Sequence, residues 1–180
     1  MLQGKKTYLR PLENDDIVLF KKWYNDQEVN YWANGAWPLT TMLGEEEIEE
    51  RFFLTQDSSD RYIVLNEKKT PIGTIGFREL NLPARSATLF IIIGEKEYWG
   101  QGYGTDALRV LIDYLFLQWN LHRLTVDTWD GNHRAIRAYE KLGFKVEGCL
   151  RQARFVQGEY RDAIIMGILR NEYESLFNRM

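Results

Sequence analysis

The chain has 180 residues, of which 44% are hydrophobic and 14% aromatic, and its formal net charge is −3 at pH 7. This length suits one domain with a sizeable core, residues 1–180. The small negative charge excludes a nonspecific nucleic-acid partner, and no apolar run is long enough to predict a membrane partner. The single cysteine, Cys149, cannot form an internal disulfide, so a structural thiol and a cytoplasmic location are expected.

The N-terminal part of the chain predicts a strand, two helices and a loop. Residues Tyr8–Pro11 have the pattern of a short edge strand, and Asn14 is expected to cap a helix that runs to about Tyr24. Residues 25–41 show no clear period, which predicts a loop rich in aromatic residues, among them Tyr31, Trp32 and Trp37. The acidic run 45–50 predicts a second helix, whose carboxylates suit the dipole at its N-terminus.

From Arg61 onward the residues alternate with the period of strands, which predicts an antiparallel meander over 61–66, 72–80 and 86–93. A helical period follows over residues 106–119. The rest predicts a strand at 124–128, a helix from the N-cap Asn132 to Leu142 that ends at Gly143, and two strands at 145–155 and 160–169. The fold class is therefore α+β, with a mixed, mostly antiparallel sheet of about seven strands and helices on both faces.

Three glycines alternate in the segment Trp99–Thr105, between a predicted strand and a predicted helix. Glycine lets main-chain N–H groups approach an anion, and the helix N-terminus adds partial positive charge, so the pattern predicts a phosphate site. A simple flexible loop is the alternative. No lysine follows Gly104, so the phosphate-binding loop of nucleotide hydrolases loses its main support. The run 102–107 does fit the dinucleotide fingerprint, with Asp127 about 20 residues further on, but the antiparallel strands predicted around it argue against that fold.

The order of elements and several motifs resemble the GNAT superfamily of acetyl-CoA-dependent N-acetyltransferases, essentially from end to end. The glycine loop and the run Asn132–Phe144 carry this resemblance. Further segments are similar to the RimJ/RimL branch of that superfamily, namely Leu9–Leu12, Tyr98–Thr105, Glu147–Arg151 and Gly158–Asp162. That branch includes acetylases of ribosomal-protein N-termini and of polyamines, so the resemblance implies the reaction better than the acceptor.

The resemblance also implies where acetyl-CoA binds, in a wedge between the fourth and fifth predicted strands. The main chain of Ile91, Ile92 and Ile93 would contact the pantetheine arm. The pyrophosphate would lie in a cradle made of Trp99, Gly100, Gln101, Gly102, Tyr103, Gly104 and Thr105. The family's loop usually begins with glutamine or arginine, and this chain has Trp99 there. A side-chain contact to the phosphates is therefore lost, whereas cradling by the backbone is kept.

Tyr139 is the predicted catalytic residue, because the resemblance implies a tyrosine that gives a proton to the departing coenzyme A thiolate. Ile136, Tyr139 and Leu142 share one helix face, so a purely structural role in the core is the alternative. Asn132 likewise has two alternative roles, as the N-cap of the helix and as a ligand of the pantetheine arm.

The sequence does not identify a general base. Many members of the resembled family carry a glutamate near the position of Thr88, and threonine cannot take a proton from an ammonium group. The remaining acidic candidates are Glu28, Glu79, Asp127 and Asp130. The two histidines, His122 and His133, lack partners at metal-ligand spacing, so no metal site is predicted.

The lack of an identified general base affects which acceptor amine the sequence favours. A protein or peptide N-terminal amine is favoured, because its pKa of about 7.7 to 8.0 leaves roughly a tenth of it neutral at pH 7. The acidic run 45–50 favours the alternative acceptor, a polyamine such as spermidine or spermine. Two interpretations of other classes stay open: a noncatalytic coenzyme A-binding regulator and an NAD-dependent oxidoreductase. The resemblance further suggests a homodimer.

Overall fold

A computed structural model describes residues 1–35, 44–54 and 60–177 of the chain. Its strands are β1 Leu2–Gln3, β2 Tyr8–Pro11, β3 Asp60–Leu65, β4 Pro71–Asn81, β5 Ser86–Ile93, β6 Arg123–Trp129, β7 Lys145–Val156 and β8 Glu159–Leu169. Its helices are α1 Ile17–Asn25, α2 Gln27–Asn34, α3 Glu45–Glu49, α4 Tyr103–Leu117, α5 His133–Lys141 and α6 Arg170–Phe177. A π-helical segment, Glu50–Leu54, continues α3.

The strands form one sheet in the order β1-β2-β3-β4-β5-β6-β8-β7. Neighbouring strands are antiparallel except β5 and β6, which run parallel. This confirms the predicted α+β class with a mostly antiparallel sheet. One parallel pair does not make the series of βαβ units on which a dinucleotide-binding fold is built, so the fingerprint at residues 102–107 is not part of such a fold.

Helices cover both faces of the sheet, as predicted. Helix α4 packs one face, in a core that includes Leu111 and Phe116 and extends to α5 and α6. On the other face, Phe20 and Trp23 of α1 pack with Ile63 of β3. Because side chains alternate along a strand, neighbouring residues of β3 enter different cores. In the described parts of the chain, no helix is long and apolar enough to cross a membrane.

Three predictions for the N-terminal part were wrong. Strand β2 is not at the edge, because the two-residue strand β1 pairs with its outer side. The N-cap position before the first helical turn is taken by Glu13 rather than Asn14, and the Glu13 N–H donates to the Asp16 carboxylate at 2.9 Å. Part of the predicted loop 25–41 is helix α2, which Asp26 caps through its side chain. Trp37 lies outside the described residues.

In the C-terminal half of the chain, the predicted elements agree more closely with the structure. Asn132 caps α5 and Gly143 ends it with a left-handed φ of 92°. Residues Gln157 and Gly158 both have positive φ and form a tight turn between the two predicted strands, β7 and β8. Helix α4 begins three residues earlier than expected, at Tyr103. Asp106, where the helix was expected to begin, lies in its first turn. Its carboxylate accepts hydrogen bonds from the N-terminal segment, among them one from the Lys6 N–H at 2.8 Å.

Candidate active site

Strands β5 and β6 separate along their length. They pair over Ser86–Thr88 and Arg123–Thr125, and the ladder then stops although both strands continue. Each stays bonded to its outer neighbour, β4 or β8, so the sheet opens into a wedge. A cleft of ≈ 970 Å³ lies in this wedge. Its volume is at the upper end of the range for small-molecule sites, about 300 to 1,000 Å³.

Most of the predicted site residues meet in this cleft. Its lining includes Ile91, Ile92, Ile93, Trp99, Gly100, Gly102, Gly104, Thr105, Asn132 and Tyr139. The other two, Gln101 and Tyr103, are outside the lining. The Gln101 side-chain amide donates to the Glu97 carbonyl oxygen. The Tyr103 hydroxyl donates to the Glu67 carboxylate at 2.8 Å, so this ring ties α4 to the turn after β3.

The glycine loop has the backbone of an anion cradle. Gly100 and Gly102 have φ of 73° and 88°, and a Cβ added at either would meet no atom within 4 Å. Open space on this side leaves the main chain accessible to a ligand. Helix α4 starts directly after Gly102, without a side-chain cap, so its first N–H groups lack intrahelical partners. The loop is fixed to β5 by the Trp99 indole N–H, which donates to the Ile93 carbonyl oxygen at 2.7 Å.

Three cationic side chains of α5 also line the cleft: Arg134, Arg137 and Lys141. Their spacing of three and four residues places them along one helix face. The Arg134 guanidinium lies 4.3 Å from the Trp99 ring centroid and 5.3 Å from that of Trp32. Burial lowers the pKa of Arg134 from its usual value. Sequence reasoning missed these cations, although their periodic spacing after Asn132 was a usable signal.

Coenzyme A is a polyanion with an extended, amide-containing arm, and the cleft suits both properties. The glycine loop and the cations of α5 present N–H groups and positive charge for phosphates. The unpaired side of β5 presents alternating main-chain donors and acceptors for the arm. Asn132 is already engaged at both side-chain polar atoms: Oδ1 accepts from the Ala135 N–H at 3.2 Å, and Nδ2 donates to the Trp32 carbonyl oxygen at 2.8 Å.

Tyr139 is only 7% exposed and lies in the cleft wall. Among the residues that the structure describes, its hydroxyl has no hydrogen-bond partner. Burial, together with the negative charge of Asp127, raises the pKa of Tyr139 far above its usual value, and the charge of Arg78 opposes this shift. The phenol is therefore neutral and keeps its proton at physiological pH.

The four acidic candidates for the base have different surroundings. Glu28 pairs with Lys96 at 3.2 Å, and Glu79 is exposed and accepts from the Thr88 hydroxyl at 2.7 Å. One oxygen of Asp130 is buried without a partner in the described parts of the chain. Asp127 alone of these four lines the cleft.

Asp127 of β6 is held by two arginines, Arg78 of β4 and Arg154 of β7, each of which lies two strands away in the sheet. Its Oδ1 accepts from Nη2 of Arg78 at 2.7 Å, and its Oδ2 accepts from Nη2 of Arg154 at 2.5 Å. The Asp127 side chain is 18% exposed. Both arginines line the cleft, and sequence reasoning identified neither. No short-range signal marks them, since the chain separations from Asp127 are 49 and 27 residues.

Outside the cleft, the described residues add little that is chemically reactive. The Cys149 thiol donates to the Asp162 carboxylate at 3.2 Å, and this hydrogen bond raises the pKa of the thiol above its usual value. A thiol with a raised pKa is a poor nucleophile at neutral pH. Within the described ranges, no group of three or more histidine, cysteine, aspartate or glutamate side chains is arranged to hold a metal ion.

Comparison with known families gives a match over most of the chain. Residues 6–145 match the model of the acetyltransferase (GNAT) domain. A spermidine N(1)-acetyltransferase of Escherichia coli strain K12 is 34% identical over 166 residues, which cover 92% of this chain and 87% of that protein. A spermidine N(1)-acetyltransferase of Vibrio cholerae is 30% identical over 168 residues, which cover 92% of this chain and 94% of that protein.

Solved structures show the same similarity in three dimensions. A crystal structure of spermidine N-acetyltransferase from Vibrio cholerae in complex with CoA and spermine superposes with a TM-score of 0.82. The alignment has 29% sequence identity and covers 93% of this chain and 97% of that one. Backbone similarity of this degree extends to the whole sheet and not to the cleft alone.

Proposed function

This chain belongs to the GNAT family of acetyltransferases and transfers acetyl groups from acetyl-CoA to an amine, and we propose that the amine belongs to an aliphatic polyamine. The observation that carries this proposal is the identity of 34% and 30% to two spermidine acetyltransferases over nearly the whole chain. The RimJ/RimL branch, which parts of the chain resemble, also includes polyamine acetylases, so that resemblance is compatible with a polyamine acceptor. A peptide N-terminal amine, the acceptor predicted from the sequence, is supported less well than its polyamine alternative.

The mouth of the cleft supports a cationic acceptor. Phe52 lines it and belongs to the segment that continues α3, whose first turn is made of Glu45, Glu46 and Glu47. Lys21 pairs with Glu45 at 2.8 Å and lowers the pKa of that carboxyl, so the group is ionised at neutral pH. The remaining carboxylates of α3 lie outside the cleft lining, and they give the surface next to Phe52, the rim, a negative charge that attracts a polycation.

For acetyl-CoA, we propose that the main chain of Ile91–Ile93 binds the pantetheine arm and that the loop Trp99–Thr105 binds the pyrophosphate. Arg134, Arg137 and Lys141 would supply charge to the remaining phosphates. Main-chain N–H groups of β5 that face the thioester oxygen would stabilise the oxyanion formed during attack, at about 2.7 to 4 kcal/mol per donor. Asn132 would hold the start of α5 in place through its N-cap and its bond to α2.

For the chemical step, we propose Tyr139 as the general acid. The amine nitrogen attacks the thioester carbon, a C–N bond forms, and the C–S bond breaks to leave a thiolate. Tyr139 is neutral and has an uncommitted proton, which it would donate to that sulfur and then regain from solvent. Such a role contributes about 10²- to 10⁴-fold in rate.

The proposal is tested by free-thiol release from acetyl-CoA with a panel of amines. We expect turnover with spermidine and spermine, and mass spectrometry should show one added acetyl group. A peptide with a free N-terminus and the same peptide with a blocked N-terminus serve as comparison acceptors. Acetylation of the free peptide without any turnover of polyamines would contradict the polyamine proposal and restore the peptide amine.

Two further expectations, a homodimer and a cytoplasmic location, remain proposals. The edge strand β7 supports the homodimer, because Val146, Leu150 and Phe155 on it are more than half exposed. Exposed apolar side chains on an unpaired edge strand form a surface that proteins normally cover. Light scattering on the eluted protein would give twice the mass of the chain, 21.3 kDa, if the proposal holds. A monomer at micromolar concentration would contradict it.

A further inference from the structure

The lining of the cleft, as far as the structure describes it, is strongly cationic. Among the described residues that line it, six side chains are basic and one, Asp127, is a carboxylate. Three of the basic groups belong to α5 and face the glycine loop, where phosphates are expected. The other three belong to strands of the sheet: Arg61 of β3, Arg78 of β4 and Arg154 of β7. Phosphate binding does not account for this second group.

Arg78 and Arg154 leave a net positive charge around Asp127. Each carboxylate oxygen of Asp127 accepts a hydrogen bond from a guanidinium group, so this carboxylate is engaged in two ion pairs. Arg61 instead lies beside the segment that continues α3, between the rings of Phe52 and Phe90, at 4.9 Å and 4.4 Å from their centroids, and offsets part of the negative charge there.

The other charged or titratable groups nearby, within the part of the chain that the structure describes, do not cancel the positive charge around Asp127. Tyr139 of α5 is neutral. Glu79 approaches Arg78 at 3.7 Å, but its side chain is 69% exposed, against 42% for Arg78 and 38% for Arg154, so water screens Glu79 the most. The described groups around Asp127 therefore carry a net positive charge, whereas the rim near α3 is negative.

A positive site disfavours the protonated form of an amine. An ammonium group loses stability beside like charges, and its pKa falls. For one net positive charge at roughly 6 to 10 Å and an effective dielectric constant of about 20, the shift is about one to two pH units. Alkyl amines, with a reference pKa of about 10.4, need such a shift to supply the free base at neutral pH.

We propose that Arg78 and Arg154 are positioning residues that make the acceptor amine bind as its neutral free base, in place of a dedicated general base. The inference rests on the proposed function, acetyl transfer to an amine. The ammonium proton passes to solvent as the amine enters. The nitrogen then attacks with its free electron pair and loses its second proton to solvent, while Tyr139 protonates the thiolate. The charged remainder of a polyamine stays at the negative rim.

The test compares Arg154→Gln, which removes the charge and keeps a hydrogen-bond donor for Asp127, with Arg154→Lys, which keeps the charge. Arg151→Gln is the matched control, because Arg151 is an exposed arginine of the same strand and lies outside the cleft lining. Turnover is measured against pH at saturating acetyl-CoA and saturating spermidine. We expect Arg154→Gln to raise the pH of half-maximal kcat by about one unit, with about a tenfold loss of kcat at pH 7. Arg154→Lys and Arg151→Gln should keep the original profile.

A second acceptor distinguishes an effect on the pKa of the bound amine from general damage to the site. A fluorinated primary amine that is already neutral at pH 7 should be acetylated equally well by the unmodified enzyme and by Arg154→Gln. Equal slowing with both amines, or an unchanged pH profile, would overturn the proposal. The proposal would also be overturned if the unmodified enzyme preferred amines that carry a carboxylate and Arg154→Gln lost this preference. The arginines would then bind an anionic group of the acceptor. Failure of polyamine acetylation with turnover of the fluorinated amine would refute the acceptor class alone.

Discussion

The substitution Tyr139→Phe tests the assignment of the general acid. It keeps the buried ring, which packs 6.0 Å from the Phe144 ring, and removes only a hydroxyl. No hydrogen bond to a described residue is lost, so the free energy of unfolding should change by less than about 0.5 kcal/mol. Turnover should fall at least about tenfold, because the thiolate would leave without a proton donor.

The loss should not depend on pH. Burial raises the pKa of Tyr139, so the phenol is fully protonated from about pH 6 to about pH 9. The ratio of kcat between the unmodified enzyme and Tyr139→Phe should therefore be constant over this range. The assay is thiol release at saturating acetyl-CoA and acceptor, with the dissociation constant of coenzyme A measured separately by calorimetry and expected to be nearly unchanged.

Tyr173→Phe is the matched control. Tyr173 is also buried, but its hydroxyl donates to Asp113 at 2.9 Å and it lies outside the cleft lining. This variant should lose about 1 kcal/mol of stability and keep its kcat. The general-acid assignment is refuted if Tyr139→Phe retains its turnover and melts at a lower temperature, since that is the behaviour of a core residue.

Three further predictions concern the cradle and the stability of the fold. Gly102→Val should weaken coenzyme A binding more than tenfold by calorimetry, whereas Gly158→Val, at an equally positive φ in an open hairpin turn, should bind normally. Asp106→Asn should cost about 1 to 3 kcal/mol in urea unfolding, because its carboxylate accepts hydrogen bonds from the N-terminal segment. Burial raises the pKa of Asp113, so the unfolded chain loses this proton first and stability falls as pH rises from about 4 through the raised value. Asp113→Asn should remove this part of the decline in the melting temperature.

Local signals in the sequence accounted for the elements around the cleft. Helix α5 follows from a capping asparagine, an apolar face and a glycine that can adopt positive φ, all within twelve residues. The glycine loop is equally local, since it lies between a strand and a helix. These features depend on neighbours along the chain, and a single sequence contains that information.

Features that depend on distant residues were not predictable in the same way. Strand β1 has two residues and exists because Leu2 and Gln3 pair with β2. The ion pairs of Asp127 join three strands whose order in the sheet is known only after folding. The sheet topology removes the ribose-binding interpretation of Asp127, and only the folded structure shows that its carboxylate is held by two arginines. The net positive charge around Asp127 emerges from the same long-range assembly.

The short ladder between β5 and β6 has a consequence for how the domain holds together. The sheet is in effect two half-sheets that share three residue pairs, and the packed helices supply the rest of the connection. The main-chain amides of 89–93 that face the wedge have no strand partner there, although they lie at the centre of the domain. A pantetheine arm bound along them would act as a missing strand. The substrate would then complete the sheet, and the least protected amides of the free enzyme would be in its middle and not at its periphery.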